Sequence, residues 1–285
     1  MDLKLRPGTS EDAQTCGRIC YEAFSTLAQE HNFPKEMSTP EFAVGVLSML
    51  LAHPGFYSVV AEVNGEVVGS NFLDERSTIA GVGPVTVDPA AQNRGIGRVL
   101  MHDVMRRAAD RDTPGIRLLQ TAHHHRSLSL YAKLGFQVRD LLAVMQGTPP
   151  QGEIPGYETR RAVPADMQGC TAVCRRVHGH DRAGEVRDTL AQGTALVVEH
   201  DGRISGYATD LALFAHAVGE SNEDLKALIM AAEIFGGTGI LVPTTNAELF
   251  RWCLEQGLRV MYLMTLMTIG LYTPPEGAYL PAVLY

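Results

Sequence analysis

The feature that most narrows what this chain can fold into is internal repetition: one order of signals is written twice. TSEDAQTCGRICYEAF (residues 9–24) and VPADMQGCTAVCRRVH (163–178) each place an acid, Asp12 or Asp166, ahead of an apolar-periodic run with two cysteines four apart. SVVAEVNGEVVGSNF and ALVVEHDGRISGYAT then alternate apolar and polar residues about Asn64-Gly65 and Asp201-Gly202, which predicts hairpins with type I′ turns. RLLQTAHHHRSLSLYAKLGFQV (117–138) and GILVPTTNAELFRWCLEQGLRV (239–260) both run strand, polar loop, short helix, helix-ending Gly135 or Gly257, strand. Residues 147–156, GTPPQGEIPG, form a Pro- and Gly-rich linker between the copies. Two α/β units are therefore expected, over residues 1–147 and 157–285.

The copies differ most at one joint. From Gly65 to Gly135 is 70 residues and from Gly202 to Gly257 is 55, so the second copy lacks 15 residues there. In the first copy that interval holds VTVDPAAQNRGIGRVLM (85–101), a β-branched run, a turn and an amphipathic pattern. The second copy has HAVGESNEDLKALIM, with Glu220, Glu223 and Asp224 in place of the glycines. A strand ending at Val87, a turn begun by Asp88-Pro89 and a helix with Ile96, Val99, Leu100, Val104 and Ala108 on one face put Gly95 and Gly97 at a helix N-terminus. Free backbone N–H groups and the positive end of the helix dipole make such a start an anion site. Glycine lets a ligand approach the backbone, and Arg94 and Arg98 add charge suited to phosphate.

Composition limits the partners. The 24 Lys and Arg against 32 Asp and Glu give a formal net charge of -8, which disfavours nucleic acid and anionic membranes and mildly favours a cationic small substrate. The N-terminal MDLKLRPGTSED has no apolar core of a secretory signal, and FAVGVLSMLLA is too short to span a bilayer, so a cytoplasmic protein is expected. Five cysteines is an odd number, and the four-residue spacing of Cys16/Cys20 and Cys170/Cys174 suits one helical face, which reads as buried thiols. His123-His124-His125 point in different directions and have no second ligand cluster at a recognised spacing, so no metal is expected.

Three phosphate-binding readings meet at the glycine joint. A Walker loop requires a lysine where Arg98 stands, and a dinucleotide fingerprint requires a third glycine near Leu100 and an opening βαβ unit. The remaining reading is an acyl-CoA pyrophosphate loop. Gln92-Asn93-Arg94-Gly95-Ile96-Gly97, followed by HHRSLSLYAKLGF (124–136), resembles the GNAT superfamily of N-acetyltransferases. The resemblance covers residues 3–145 and, more faintly, the second half, so the chain is identified as a tandem form with an active N-terminal and a degenerate C-terminal domain. It implies an α/β (α+β) fold of two GNAT-like domains, each a twisted, mixed, mainly antiparallel sheet flanked by helices. The N-terminal sheet would splay between its strands 4 and 5.

The resemblance also implies roles. The backbone of Val85, Thr86 and Val87 would pair with the pantetheine arm of acetyl-CoA, and Gln92, Asn93, Arg94, Gly95, Ile96, Gly97 and Arg98 would cradle its pyrophosphate. Tyr131 would line the cofactor and protonate the departing thiolate, His124 stands where the family commonly has Asn, and Ser127 would line the cofactor. In the second copy Asn246 is kept, but Tyr131 becomes Cys253 and the loop is gone, which implies a silent domain that shapes or covers the acceptor site. The expected activity is acetyl-CoA-dependent N-acetylation of a small-molecule or peptide amine by direct attack, by a monomer or homodimer; the alternatives are a non-catalytic acyl-CoA-binding regulatory module and transfer of a longer acyl chain. No acid lies on residues 78–87, so the general base is unassigned, with Glu75, Glu30 and His31 as candidates. The apolar tail AYLPAVLY (278–285) is expected to dock on the protein, as an extra strand or clamp or with its terminal carboxylate at the acceptor amine.

Overall fold

The computed structural model describes residues 2–35 and 37–284. In the first half the order is β1 (Leu3–Pro7), α1 (Ala13–Glu30), α2 (Pro40–Ala52), β2 (Phe56–Val63), β3 (Glu66–Asp74), β4 (Ala80–Val82), β5 (Thr86–Val87), α3 (Ile96–Asp110), β6 (Gly115–Thr121), α4 (His125–Lys133) and β7 (Gln137–Gln146). The second half repeats it as β8 (Tyr157–Arg161), α5 (Met167–His178), α6 (Ala183–Gln192), β9 (Leu196–His200), β10 (Arg203–Ala208), β11 (Ala217–Gly219), α7 (Asn222–Met230), β12 (Ile240–Pro243), α8 (Ala247–Glu255), β13 (Arg259–Gly270) and the tail strand β14 (Ala278–Leu280).

The repetition extends to side chains. The Arg6 guanidinium donates to both oxygens of Asp12, at 2.8 and 2.7 Å, and through Nε to Glu62 at 2.7 Å. Arg160 does the same to Asp166, at 2.6 and 2.9 Å, and to Glu199 at 2.9 Å. Each acid also accepts the backbone N–H three residues earlier, Thr9 or Val163, at 2.8 Å, which closes the single 3₁₀ turn that leads into α1 or α5. The hairpin residues Asn64, Gly65, Asp201 and Gly202 all have positive φ, as type I′ turns require.

Strand alternation sorts the first half into two apolar layers. Val60 and Phe72 face Cys16, Cys20 and Leu47 of α1 and α2, whereas Val59, Ala61 and Leu73 face Ile96, Leu100 and Val104 of α3. The second half matches: Val197 and Tyr207 pack on Cys170 and Cys174 of α5, and Val198 and Ala208 on Leu225 and Leu228 of α7. All five thiols are buried.

The halves are joined through exchanged strands. The larger sheet runs β1-β2-β3-β4-β6-β13-β7-β12, with β5 on β3, and the smaller runs β14-β11-β10-β9-β8. β13 of the second half lies antiparallel between β6 and β7 of the first, while β7 lies between β13 and β12. The linker thus runs from β7 of the first half to β8 of the second, while β7 and β13 are neighbours in the larger sheet. Leu142, Val144, Leu241, Tyr262, Met264 and Leu266 form an apolar cluster along this junction. Away from it, Arg76 bridges Asp74 of the first half and Asp188 of α6, the latter at 2.8 Å.

Strand β4 pairs with β3 on one side and, parallel, with β6 on the other, but only at Ala80↔Ile116 and Gly81↔Arg117. After Gly83-Pro84, β5 pairs with β3 alone. A proline cannot donate to a ladder, and the sheet opens there into a wedge between β5 and β6.

Candidate functional site

The wedge holds a cleft of about 380 Å³. Its floor is the free edge of Val85, Thr86 and Val87, and one wall is the turn and helix start from Gln92 to Arg98. Gly95, the residue before α3, sits at φ 83° and ψ 0°, a left-handed conformation that a side chain would strain. Val99 N–H donates to the Gly95 carbonyl, so the helix proper begins here, and among the described residues the N–H groups of Ile96, Gly97 and Arg98 have no acceptor. These donors converge on the cleft with the positive end of the α3 dipole.

The space around the glycines tests whether a phosphate-bearing ligand fits. A Cβ added to Gly95 would meet nothing within 4 Å, and at Gly97 the nearest atoms, from Leu130 and Val87, are 3.8 and 3.9 Å away. Packing within the protein therefore does not require glycine at 97. The volume a side chain would fill there is part of the cleft, as a cradle for a bulky anion needs.

Polar bonds hold the cradle open. Gln92 donates to the Val87 carbonyl at 3.1 Å, tying the turn to β5. Arg126, at the start of α4, donates to Gln92 Oε1 at 2.8 Å and Asn93 Oδ1 at 3.0 Å, so the loop is clasped from the opposite wall. Arg126 and Arg98 both line the cleft, whereas Arg94 is exposed and outside the lining. Sequence alone did not single out Arg126; its place directly after His124-His125 in the second motif was the available signal.

The other wall is α4. Its N-cap is His124, and burial followed by the nearby Arg126 charge pushes the imidazole down to about 4, so it is neutral at pH 7. Ser127 donates to the His124 carbonyl at 2.9 Å. Gln120 donates to that carbonyl and to Ser127 Oγ, both at 3.0 Å, and Thr265 of β13 donates to Gln120 Oε1 at 2.8 Å. A residue of the second half thereby braces α4. Tyr131, one turn further on, is 9% exposed, and no hydrogen bond reaches its hydroxyl among the described residues. Burial pushes this phenol up to about 12.

The three candidates for the base separate. Glu30 lies on the cleft rim, and His31 lies against His123 with ring centroids 4.7 Å apart and the two rings tilted by 46°. Glu75 is elsewhere, paired with Arg107 at 2.7 Å and Arg111 at 3.3 Å on the far end of α3. Among the described residues no cluster of three or more His, Cys, Asp or Glu is arranged to hold a metal, and no helix is long and apolar enough to cross a membrane.

The tail forms the expected extra strand, β14 on β11, and Val283 N–H then bonds the Leu213 carbonyl at 2.8 Å. Leu284 packs against the α1/α2 layer of the first half. Tyr285, on which the carboxylate expectation falls, lies outside the described residues.

Residues 20–136 match the acetyltransferase (GNAT) family model, a family that uses acetyl-CoA. No curated protein matches the sequence. Among solved structures, a Pyrococcus horikoshii protein provisionally described as an acetyltransferase is similar at TM-score 0.73 and 17% identity, over 99% of this chain and 92% of that one. A GCN5-related N-acetyltransferase from Sphaerobacter thermophilus reaches TM-score 0.61 at 16% identity, over 95% and 96%. A tandem GNAT protein from the clavulanic acid biosynthesis pathway reaches 0.57 at 15%, over 94% and 98%. At these identities the likeness is one of fold, and it extends over both halves.

Proposed function

We propose that the GNAT acetyltransferase domain which this chain carries over residues 20–136 transfers acetyl from acetyl-CoA to a primary amine by direct attack, and that the second half is catalytically silent. One observation carries the reading: the unsatisfied start of α3, the free edge of β5 and Tyr131 line a single cleft. The N–H groups of Ile96, Gly97 and Arg98, with Arg98 and Arg126, would take the pyrophosphate. The edge of Val85 to Val87 would take the pantetheine amides, and a backbone N–H of that edge would stabilise the oxyanion of the tetrahedral adduct.

Tyr131 holds the proton that the departing thiolate needs. Its hydroxyl stays protonated at neutral pH. Desolvation penalises a departing thiolate as it does a phenolate, which favours passing the phenol proton to sulfur as the C–S bond breaks. The incoming amine must lose a proton. Glu30 on the rim and neutral His124 at the inner end are the groups in the cleft able to accept one, whereas Glu75 is committed to its arginines.

The test is calorimetry with acetyl-CoA joined to a free-thiol assay over a panel of amines. One site per chain and amine-dependent thiol release are expected. Binding without release by any amine would leave a cosubstrate-binding module, and absence of binding would remove the reading.

A further inference from the structure

Behind the cleft, on the inner side of the wedge, lies a second cavity of about 120 Å³. It shares Phe24, Leu27, Val85, His124, Ser127 and Tyr131 with the cleft, so the two spaces meet where the thioester would lie. Its outer walls come from both halves: Met37, Pro84 and Leu118 from the first, and Leu213, Phe214, Met264, Val283 and Leu284 from the second. No Asp, Glu, Lys or Arg lines it among the described residues. Of its polar members, Gln120 and Ser127 are bonded to their neighbours, and Tyr131 and His124 carry no charge at neutral pH.

We propose that this chamber seats an uncharged, apolar body of the amine acceptor, on the scale of four to six carbons. The inference rests on the acetyltransferase reading above and names the acceptor class for that site. An apolar cavity of about 150 Å³ holds a benzene molecule, which sets the size. An acetyl group has two carbons, so most of the chamber is left for the acceptor. A second ammonium or a guanidinium there would be buried without a counter-charge, and burial of an unpaired charge is costly. The net charge of the protein favours cations at long range, but the chamber discriminates against them at contact. The silent half thus has a specificity role, because β13, the 213–214 loop and the tail close a space that the first half leaves open.

The experiment compares kcat/KM, at saturating acetyl-CoA, for 3-methylbutylamine and 2-phenylethylamine against ethylamine, 1,5-diaminopentane and agmatine. Each buried methylene is worth about fourfold, so the apolar amines should exceed ethylamine by 10-fold or more and the dications by more still. Leu284→Trp should fill the chamber and depress the two large apolar amines at least 10-fold relative to ethylamine. Phe214→Ala should enlarge it and shift preference toward 2-phenylethylamine, while acetyl-CoA affinity, measured by calorimetry, stays constant in both. A dication used as well as its apolar counterpart, or selectivity unmoved by both variants, overturns the proposal. A parallel series of acetyl-, butyryl- and hexanoyl-CoA with ethylamine is the remaining arm, and a rate that climbs with acyl length assigns the chamber to the acyl chain and overturns it too. Loss of acetyl-CoA binding in the unaltered protein would instead remove the underlying reading, and the inference with it.

Discussion

The same helix start is built twice in this molecule, and the two versions handle their free backbone donors in opposite ways. At α3 the chain arrives through left-handed Gly95 and leaves the first N–H groups facing a cleft. At α7 Ser221 is the N-cap: Asp224 N–H bonds Ser221 Oγ at 3.3 Å, and the Asp224 carboxylate accepts from Ser221 N–H at 2.8 Å and Oγ at 2.7 Å. That carboxylate is buried and also accepts from Ser205, and its Cβ occupies the place where a side chain on Gly219 would stand. Glu220 alongside is held by Arg176 and Arg203. The α3 start leaves open space and free donors, and the α7 start leaves neither, because a fixed internal carboxylate already occupies the dipole end. The next helix shows the same contrast, since Tyr131 borders a cleft while its counterpart Cys253 is sealed in the core with its thiol pushed up to about 12 by burial.

The sharpest way to break this comparison is to give α3 an acid of its own. Gly95→Glu places a carboxylate at the proposed phosphate cradle and a side chain at positive φ. Like charges brought together in a site cost several kcal/mol, so acetyl-CoA affinity should fall on the order of 100-fold or more. Calorimetry reads this directly, and unaltered binding would show that the cradle is not the phosphate site.

A second variant pair concerns the proposed proton donor. Tyr131→Phe keeps the ring and removes the hydroxyl, and turnover should drop roughly 10- to 1,000-fold with little change in acetyl-CoA affinity. Cys253→Ala, at the matched position, should leave turnover unchanged and cost stability alone. Equal turnover in Tyr131→Phe and the parent would make Tyr131 a packing residue beside Phe136, its ring neighbour at 6.2 Å.

Sequence made the repeat and the glycine joint legible because both rest on local signals. Turn residues need positive φ at Asn64-Gly65 and Asp201-Gly202, and Asp12 and Asp166 fold back on the backbone just ahead of the helices that follow them. The exchange of β7 and β13 was not legible. Both strands carry the same apolar alternation, so either could pair with β6 or β12, and the choice is made by tertiary register over many residues. For the same reason the bracing of Gln120 by Thr265, 145 residues away, left no trace in any motif. Glu75 remained a candidate because its partners Arg107 and Arg111 sit on another element, and only the fold brings them together.

That bracing supplies a middle-sized test of how far the second half serves the site. Thr265→Val removes the donor to buried Gln120 Oε1 and keeps the shape of the side chain. A neutral hydrogen bond is worth about 0.5–1.5 kcal/mol, so a loss of roughly 2- to 10-fold in kcat/KM is expected if Gln120 positions His124 and Ser127. Acetyl-CoA binding and turnover measured together would show whether the cradle or the inner end of the cleft has moved.

The smallest effect concerns what the two halves share. The Arg6–Asp12 and Arg160–Asp166 clasps have nearly identical geometry, and in each the guanidinium, ahead of the backbone N–H, holds the carboxyl below the ordinary aspartate range. A carboxyl whose pKa is lower folded than unfolded stabilises the protein above its unfolded value of about 3.9, and that contribution fades as pH falls through the folded value. Asp12→Asn and Asp166→Asn should therefore each cost about 1–2 kcal/mol at pH 7, the range of a helix cap, with the exposed half of the arginine pairing adding little. The gap from the parent protein should narrow below pH 4, where the parent loses the same charge. Chemical denaturation at pH 7 and pH 3 checks both size and sign. Matching costs at the two positions are expected, since these clasps belong to the folding of the repeated unit, whereas the cleft belongs to one copy; a cost confined to Asp12 would mean that the clasp, too, had become specialised toward the cleft.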